Sequence, residues 1–244
     1  MTPDTYEALF GRYAEVGRHP FPDRPWVLAN MVGGLDGTAA LAGRVGELST
    51  PTDARLFQDL RSLADLVLVG AQTVRLEGYG PARVDERLAS LRAGRAPVPS
   101  VAVVSRSLDL DWGSPLFSKA EPSARPLVIT CSSAAQQRRD DADSFADVIV
   151  TEGDLVDLAA ALAALRQRGV ETVLCEGGPT LLGQLVAQSL LDELCLSLSP
   201  VMGGDSLPLA VSPAASPLSR FHLEHVMSDA DGTVFLRYER AGSR

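Results

Sequence analysis

The sequence predicts an α/β fold, with a central, mostly parallel sheet flanked by helices and an antiparallel hairpin at the C-terminal end. Three observations carry this. Short apolar, often β-branched runs recur at 26–31, 65–70, 100–105, 125–131, 146–151 and 193–198, each a near-continuous stretch of the kind a strand buried on both faces requires. Helix-spaced segments lie between several of them. The last two runs, 222–227 and 233–238, flank Asp231-Gly232, a hairpin turn signal.

The chain has 244 residues, 45% hydrophobic and 22% charged, ordinary values for a globular protein with a substantial core. No repeat or low-complexity linker divides it. The expected organisation is an N-terminal extension, 1–25, packed on a single domain, 26–244. No apolar run approaches the roughly 20 residues needed to span a bilayer, and the first residues, MTPDTYEALFGRY, lack the apolar core of a signal peptide. A net charge of −9 argues against a nucleic-acid partner, which needs a basic face. Cys131, Cys175 and Cys195 show no CxxC spacing, so neither a zinc site nor a disulfide framework is expected. A cytoplasmic setting follows.

Taken in order, 6–13 reads as a short helix, followed by a loop through Pro20, Pro22 and Pro25. Residues 26–31 (WVLANM) form a central strand, broken by the polar Asn30. It empties into a glycine-rich loop, VGGLDGTAALAGRVG, whose single acid is Asp36. Residues 49–64 suit a helix, with Ser49 or Thr50 as cap, Pro51 at its first position and Asp53 in its first turn. Leu56, Phe57, Leu60 and Leu63 give it an apolar face. The strand 65–70 ends at Gly70 and leads to a second helix start. There Thr73 either caps the helix or offers a hydroxyl to a phosphate.

Residues 77–99 are irregular, and their arginines (Arg83, Arg87, Arg92 and Arg95) read mostly as solvated. Strand 100–105 ends at Ser105 and Arg106. A cation there either reads a ribose 2′-phosphate, which guanidinium geometry matches, or is an ordinary surface arginine. A polar connection, 111–124, precedes strand 125–131, helix 132–145 and strand 146–151. Residues 154–168 form a helix capped by Asp154, with Leu155, Leu158, Leu162 and Leu165 on one face and Gly169 as its stop. Residues 181–191 form the next helix. Residues 206–219, with Pro208, Pro213 and Pro217, are extended and irregular.

The functional signal is strongest at 170–182, VETVLCEGGPTLL. A strand ends at Glu176, turns through Gly177 and Gly178, and opens a helix with Pro179, Thr180 and Leu181. Free N–H groups and the helix dipole make such a turn an anion site, and ligands of open α/β sheets gather at strand C-terminal ends. A phosphate-bearing cofactor beside Glu176 is the functional reading. A plain strand–helix connection is the other. GxGxxG, GxxxxGK[ST], HExxH and GxSxG are all missing. His222 and His225 would point to opposite faces of a strand, so no metal site is expected.

With these pieces placed, the chain resembles the riboflavin-biosynthesis pyrimidine reductases: the C-terminal reductase domain of the bifunctional deaminase–reductase and its stand-alone forms. The matching segments are ANMVGGLDGTAA, LVLVGAQTVRLEGYGP, VAVVSR, VLCEGGPTLLGQLVAQSLLDELCLSLSPVMGG and FLRYER, spread over most of 25–240. The resemblance implies a dihydrofolate-reductase-like fold, NADPH as cofactor, a homodimer, and reduction of the ribose of a ribosylamino-pyrimidine phosphate to a ribityl chain. It implies that Gly177, Gly178, Pro179, Thr180 and Leu181 hold the cofactor phosphates, with Gly70 and Thr73 opposite. It places Ser105 and Arg106 near the 2′-phosphate and Val150 and Thr151 at the next strand end. Asn30, Asp36, Glu77 and Glu176 face the substrate. In place of the family's SLDGK or SLDGR this chain reads GLDGT, with Thr38 at the basic position. In place of TVxxDxP it reads TVRLEGYGP, with Glu77 as the acid. The deaminase half, with its HxE and PCxxC zinc ligands, is missing, so the chain is not expected to deaminate.

Hydride transfer needs an accompanying proton, and a carboxyl near a buried nicotinamide can supply it. Glu176 is the first candidate for that acid and Asp36 the second. Two rival readings stand beside this one. The same fold can reduce a dihydrofolate, pterin-type or other heterocycle, which Thr38 encourages. Alternatively, the chain binds NADPH without catalysis.

Overall fold

The central apolar runs become strands because they bury both faces between helices. The computed structural model describes residues 3–213 and 216–242. Its strands are β1 (Trp26–Gly33), β2 (Leu66–Gly70), β3 (Ser100–Val104), β4 (Leu127–Cys131), β5 (Asp147–Thr151), β6 (Thr172–Cys175), β7 (Glu193–Leu198), β8 (Phe221–Ser228) and β9 (Val234–Arg240). They form a nine-stranded sheet in the order β5-β4-β3-β2-β6-β1-β7-β9-β8. β1 to β7 run parallel. β9 pairs antiparallel with β7 and β8 with β9, so the closing hairpin lies at the sheet edge, as the turn signal predicts.

The helices are α1 (Pro3–Ala14), α2 (Pro51–Leu60), α3 (Ala71–Glu77), α4 (Pro115–Ser118), α5 (Gln136–Asp143), α6 (Leu158–Gln167) and α7 (Pro179–Ala187). Alternation along the strands divides the core in two. Leu28, Val67, Val69 and Leu174 pack with Tyr6, Leu9, Phe10 and Tyr13 of α1 and Leu56 and Leu60 of α2. Val27, Ala29, Leu66, Leu68 and Val173 pack with Leu158, Leu162 and Leu165 of α6 and Leu181, Leu182 and Leu185 of α7. All eight residues of β1 are buried, which fits its place between β6 and β7.

Several local expectations change. The cap of α6 is Asp157, whose side chain accepts the Ala160 N–H, rather than Asp154. The Thr151 hydroxyl accepts the Asp157 N–H at 3.0 Å and keeps the preceding residues as a loop, so Leu155 is exposed. α7 stops at Ala187 instead of 191, because Ser189 takes a positive φ and the Leu190 N–H closes onto the Leu185 carbonyl. Arg92 is buried rather than solvated. It lies in a 3-10 segment (Glu86–Arg92) and donates to the carbonyls of Ala96 and Ala64 at 2.7 and 2.6 Å. The polar connection at 111–124 includes the short α4.

One close approach shapes the edge of the site. The Val211 N–H bonds to the Pro179 carbonyl, drawing the 209–211 segment onto α7. A Cβ added at Gly183 would lie 1.9 Å from the Val211 carbonyl oxygen. Gly183→Ala is expected to push that segment away and to destabilise by about 1–3 kcal/mol, the usual cost of overpacking. A urea denaturation midpoint unchanged from wild type would contradict this packing.

Candidate active site

The C-terminal ends of β1, β2 and β6 meet at a cavity of about 540 Å³. The chain's order explains the position. β1 and β2 are separated in the sheet by β6, so the loops leaving neighbouring strands diverge there and open a crevice.

Two glycine turns form one wall. The Gly70 N–H bonds to the Gly177 carbonyl at 2.8 Å, tying the end of β2 to the turn after β6. Gly177 has φ +82°, and the Gly177–Gly178 peptide is cis. Gly178 lies against α3, where an added Cβ would come within 2.7 Å of the Thr73 Oγ1. Gly178 is also the N-cap residue of α7 and offers no side-chain cap, with Pro179 at the first position. The N–H groups of Thr180 and Leu181 therefore begin the helix without intrahelical partners. α3 starts at Ala71 with Gly70 as its cap residue, so Thr73 is not a cap. Gly70, Thr73, Gly178, Pro179, Thr180 and Leu181 all line the cavity.

Glu176 lines it too, but its carboxylate is occupied. Arg61 donates from Nε to Oε1 at 2.7 Å and from NH2 to Oε2 at 2.8 Å. The Tyr79 hydroxyl donates to Oε2 at 2.8 Å. Arg61 and Glu176 are both buried, and Arg61 also stands over the Phe57 ring and bonds to Gln58. Burial, reinforced by the adjacent Glu176 charge, pushes the Tyr79 phenol far above its ordinary value. It stays an O–H donor. All three of these bonds donate to the carboxylate.

The other residues expected on the substrate side divide. Asn30 is buried on β1, lines the cavity, and its Oδ1 has no partner among the described residues. Glu77 lies at the rim and accepts the Val45 N–H at 3.0 Å. Asp36 does not line the cavity. It staples its own loop, accepting the Gly203 and Thr38 N–H groups at 2.7 and 3.1 Å, which hold its carboxyl below the usual range. Thr38 is buried and donates to the Asp205 carbonyl at 2.7 Å.

The residues farther along the sheet are not brought to this cavity. Ser105 is buried and accepts the Leu108 N–H, while Arg106 is exposed just past β3. Thr151 donates to the Thr130 carbonyl. Val150 is exposed. β5 stands four strand spacings from β6, about 19 Å.

Sequence reading missed Asp53, Arg61 and Tyr79. Asp53, Ala54, Phe57, Gln58 and Arg61 all line the cavity, a stripe at helical spacing beside the apolar one. Its polar members, Asp53, Gln58 and Arg61, were the available signal. Asp53 is buried, and its Oδ2 accepts the Ser49 hydroxyl at 2.5 Å.

Comparisons with known proteins agree with this architecture. Residues 25–235 match the family model described as the RibD C-terminal domain. A relative from Archaeoglobus fulgidus, named 2,5-diamino-6-ribosylamino-4(3H)-pyrimidinone 5′-phosphate reductase, is 30% identical over 226 residues, covering 89% of this chain and 100% of that protein. The crystal structure of a pyrimidine reductase-like protein from Corynebacterium diphtheriae superposes with a TM-score of 0.80 at 31% identity, covering 89% of this chain and 92% of that one. The dihydrofolate reductase from Enterococcus faecalis is 12% identical, with a TM-score of 0.50 over 88% of this chain and 96% of its own. It shows a shared dihydrofolate-reductase-like fold.

Asp53 gives the site a pH signature. Burial raises its carboxyl above the ordinary value, outweighing the Ser197 and Ser49 hydroxyls that lower it. The folded chain keeps this proton over a pH range where the unfolded chain, titrating near 3.9, has lost it. Stability therefore falls as pH rises through that range. Asp53→Asn removes the loss. Its melting temperature is expected to exceed that of wild type at pH 8, by about 2–4 °C for each kcal/mol relieved, and to converge with wild type toward pH 4. A difference that stays constant with pH, read by differential scanning calorimetry, would contradict the assignment.

Proposed function

This chain belongs to the family of the RibD C-terminal domain, and we propose that it is an NADPH-dependent reductase of an amino-pyrimidinone ribosyl phosphate, the riboflavin-pathway step for which its Archaeoglobus relative is named. The observation that carries this reading is the wall of paired glycine turns, with the uncapped start of α7 opening onto the same cavity as a polar helix face. NADPH, when bound, supplies the hydride.

The residues fit that cofactor. At Gly178 a side chain would collide with the Thr73 Oγ1, so the backbone stays bare beside the helix start. Bare backbone lets the N–H groups of Thr180 and Leu181 approach a phosphate, where the α7 dipole adds to them. In this reading Gly177, Gly178, Pro179, Thr180 and Leu181 hold the diphosphate, and Gly70 and Thr73 bound it from β2. Arg106 reaches the 2′-phosphate from the end of β3. Ser105 shapes that turn through its bond to Leu108. Val150 and Thr151 mark the far limit of the adenosine side.

Glu176 acts by position. Its ion pair fixes Arg61 and Tyr79 along the floor, so the cavity keeps its shape when a ring enters. Glu77, at the rim, and Asn30, at the base, face the substrate. Asp36 acts at one remove by fixing the loop that covers the cavity's edge. A second copy of the chain belongs to this reading, with the exposed Leu223 and Val226 of β8 on the free sheet edge. One observation favours a heterocycle lacking a phosphate: Arg61, a cation lining the cavity, is already paired.

The test is a fluorescence titration with NADPH and with NADH on wild type and Arg106→Ala. Wild type is expected to bind NADPH tightly. The variant should lose tenfold or more in NADPH affinity, as for a hydrogen bond between charged groups, with NADH binding unchanged. Equal loss for both nucleotides would remove Arg106 from the 2′-phosphate, and no binding of either would remove the cofactor reading.

A further inference from the structure

One wall of the cavity is a strap drawn from two distant parts of the chain. Ala39, Ala40, Gly43, Val45 and Gly46, from the loop after β1, line it together with Leu207. The first half of the strap is firmly held. The Ala39 N–H bonds to the Leu207 carbonyl at 2.8 Å, and the Asp205 N–H to the Ala40 carbonyl at 2.9 Å. Leu41 and Arg44 exchange backbone bonds at 2.8 and 3.2 Å, closing a two-residue hairpin turn at Ala42 and Gly43. Both central residues have positive φ, +52° and +76°, the pattern of a primed hairpin turn. Glycine takes this conformation freely and alanine only at a cost. The half-buried Asp205 offsets that cost. Its carboxylate accepts the Ala42 N–H at 3.0 Å and the Gly43 N–H at 2.6 Å, and its charge strengthens both bonds.

The second half is held differently. Leu48 is buried and roots the far end of the strap. Residues 44–47 bridge the space between that root and the two bonds to Asp205. The bond that ties them to the opposite rim runs from the Val45 N–H to Glu77 Oε1 at 3.0 Å. Glu77 is exposed, at the last position of α3. An exposed hydrogen bond competes with water, so its net contribution is small. Gly46 has φ +36°, and a Cβ added there would meet nothing within 4 Å, so the backbone has room to swing. Segments held this loosely open at low free energy, and lids over active sites are drawn from them.

We propose that residues 44–47 are a gate over the cavity, with Asp205 as its fixed post and Glu77 as its latch. Asp205 and Glu77 are positioning residues, since both act through the backbone of the strap. Breaking the bond from Val45 to Glu77 lets the gate swing about Gly46 and opens the mouth. Remaking it closes the cavity and shuts water out of a site where a hydride moves. Glu77 keeps its place on the substrate side in this account. The proposal deepens the reductase reading and rests on it for what the gate admits. The latch itself is tested without any ligand.

The experiment is hydrogen exchange read by mass spectrometry on wild type, Glu77→Ala, Glu77→Gln and Asp205→Asn, with stopped-flow NADPH binding on the same samples. Glu77→Ala should speed exchange at 44–48 severalfold. It should also speed NADPH association and dissociation together, because an unlatched gate eases passage both ways. Glu77→Gln keeps an acceptor oxygen and should stay close to wild type in both readouts. Asp205→Asn keeps one acceptor but loses the charge, and should extend the faster exchange to 41–43. Unchanged exchange at 44–48 in Glu77→Ala overturns the latch. So does a rise in NADPH dissociation alone, which would make Glu77 a contact to the cofactor. Unchanged exchange at 41–43 in Asp205→Asn overturns the post. Failure of NADPH to bind wild type is a separate result that counts against the cofactor reading, and the exchange comparison then decides the gate by itself.

Discussion

The buried ion pair between Glu176 and Arg61 is the interaction on which the site's geometry depends. It joins the end of β6 to the segment after α2, with Tyr79 closing the third side. Two charges taken out of water are costly, and their attraction repays this only when geometry and remaining hydrogen bonds are both good. Here the guanidinium is bidentate and the second carboxylate oxygen also takes the phenol. The same residue is anchored through its backbone, since the Glu176 N–H bonds to the Leu68 carbonyl. The glycine turn that follows is set by this anchor and by the bond from Gly70 to Gly177. In the proposed reading the cofactor wall and the substrate floor therefore share one residue.

That sharing divides the work among the carboxyl groups. Glu176 is saturated and holds shape. Asp36 is saturated by backbone N–H groups and holds a loop. Asp53 is buried, bonded by the Ser49 hydroxyl, with a carboxyl that burial raises above its ordinary value. A buried acid weakens the folded state once it ionises, and sites of ligand binding are where such costs are retained. The first-turn position that makes Asp53 a sensible helix residue also carries it to the end of β1.

Much of the fold was legible because the signals are local. Apolar runs, the Asp231-Gly232 turn, Pro51 and Pro179 at helix starts, and Gly177-Gly178 at a strand end each act within a few residues. The misplaced cap at Asp154 shows the limit: both Asp154 and Asp157 satisfy cap chemistry, and the choice is made by Thr151 on a neighbouring strand. Glu176 was visible as an acid at a strand end, but its partners Arg61 and Tyr79 lie 115 and 97 residues away in sequence. No local pattern reports such a pairing, so the positioning role proposed for Glu176 is not one the sequence displays. Arg92 was read as solvated for the same reason, since the carbonyls that bury it come from a distant segment. The wide separation of Val150 and Thr151 from the glycine turns follows from strand order, which sequence alone does not fix.

The most direct test of this account is Glu176→Gln, measured for thermal stability and for single-turnover hydride transfer at saturating NADPH and substrate. Removing the charge leaves Arg61 buried without its counter-ion, at an expected cost of about 3–5 kcal/mol. The account predicts a clear fall in melting temperature with a hydride-transfer rate within a few-fold of wild type below that temperature. An unchanged melting temperature with hydride transfer lost would contradict it and return Glu176 to the role of acid.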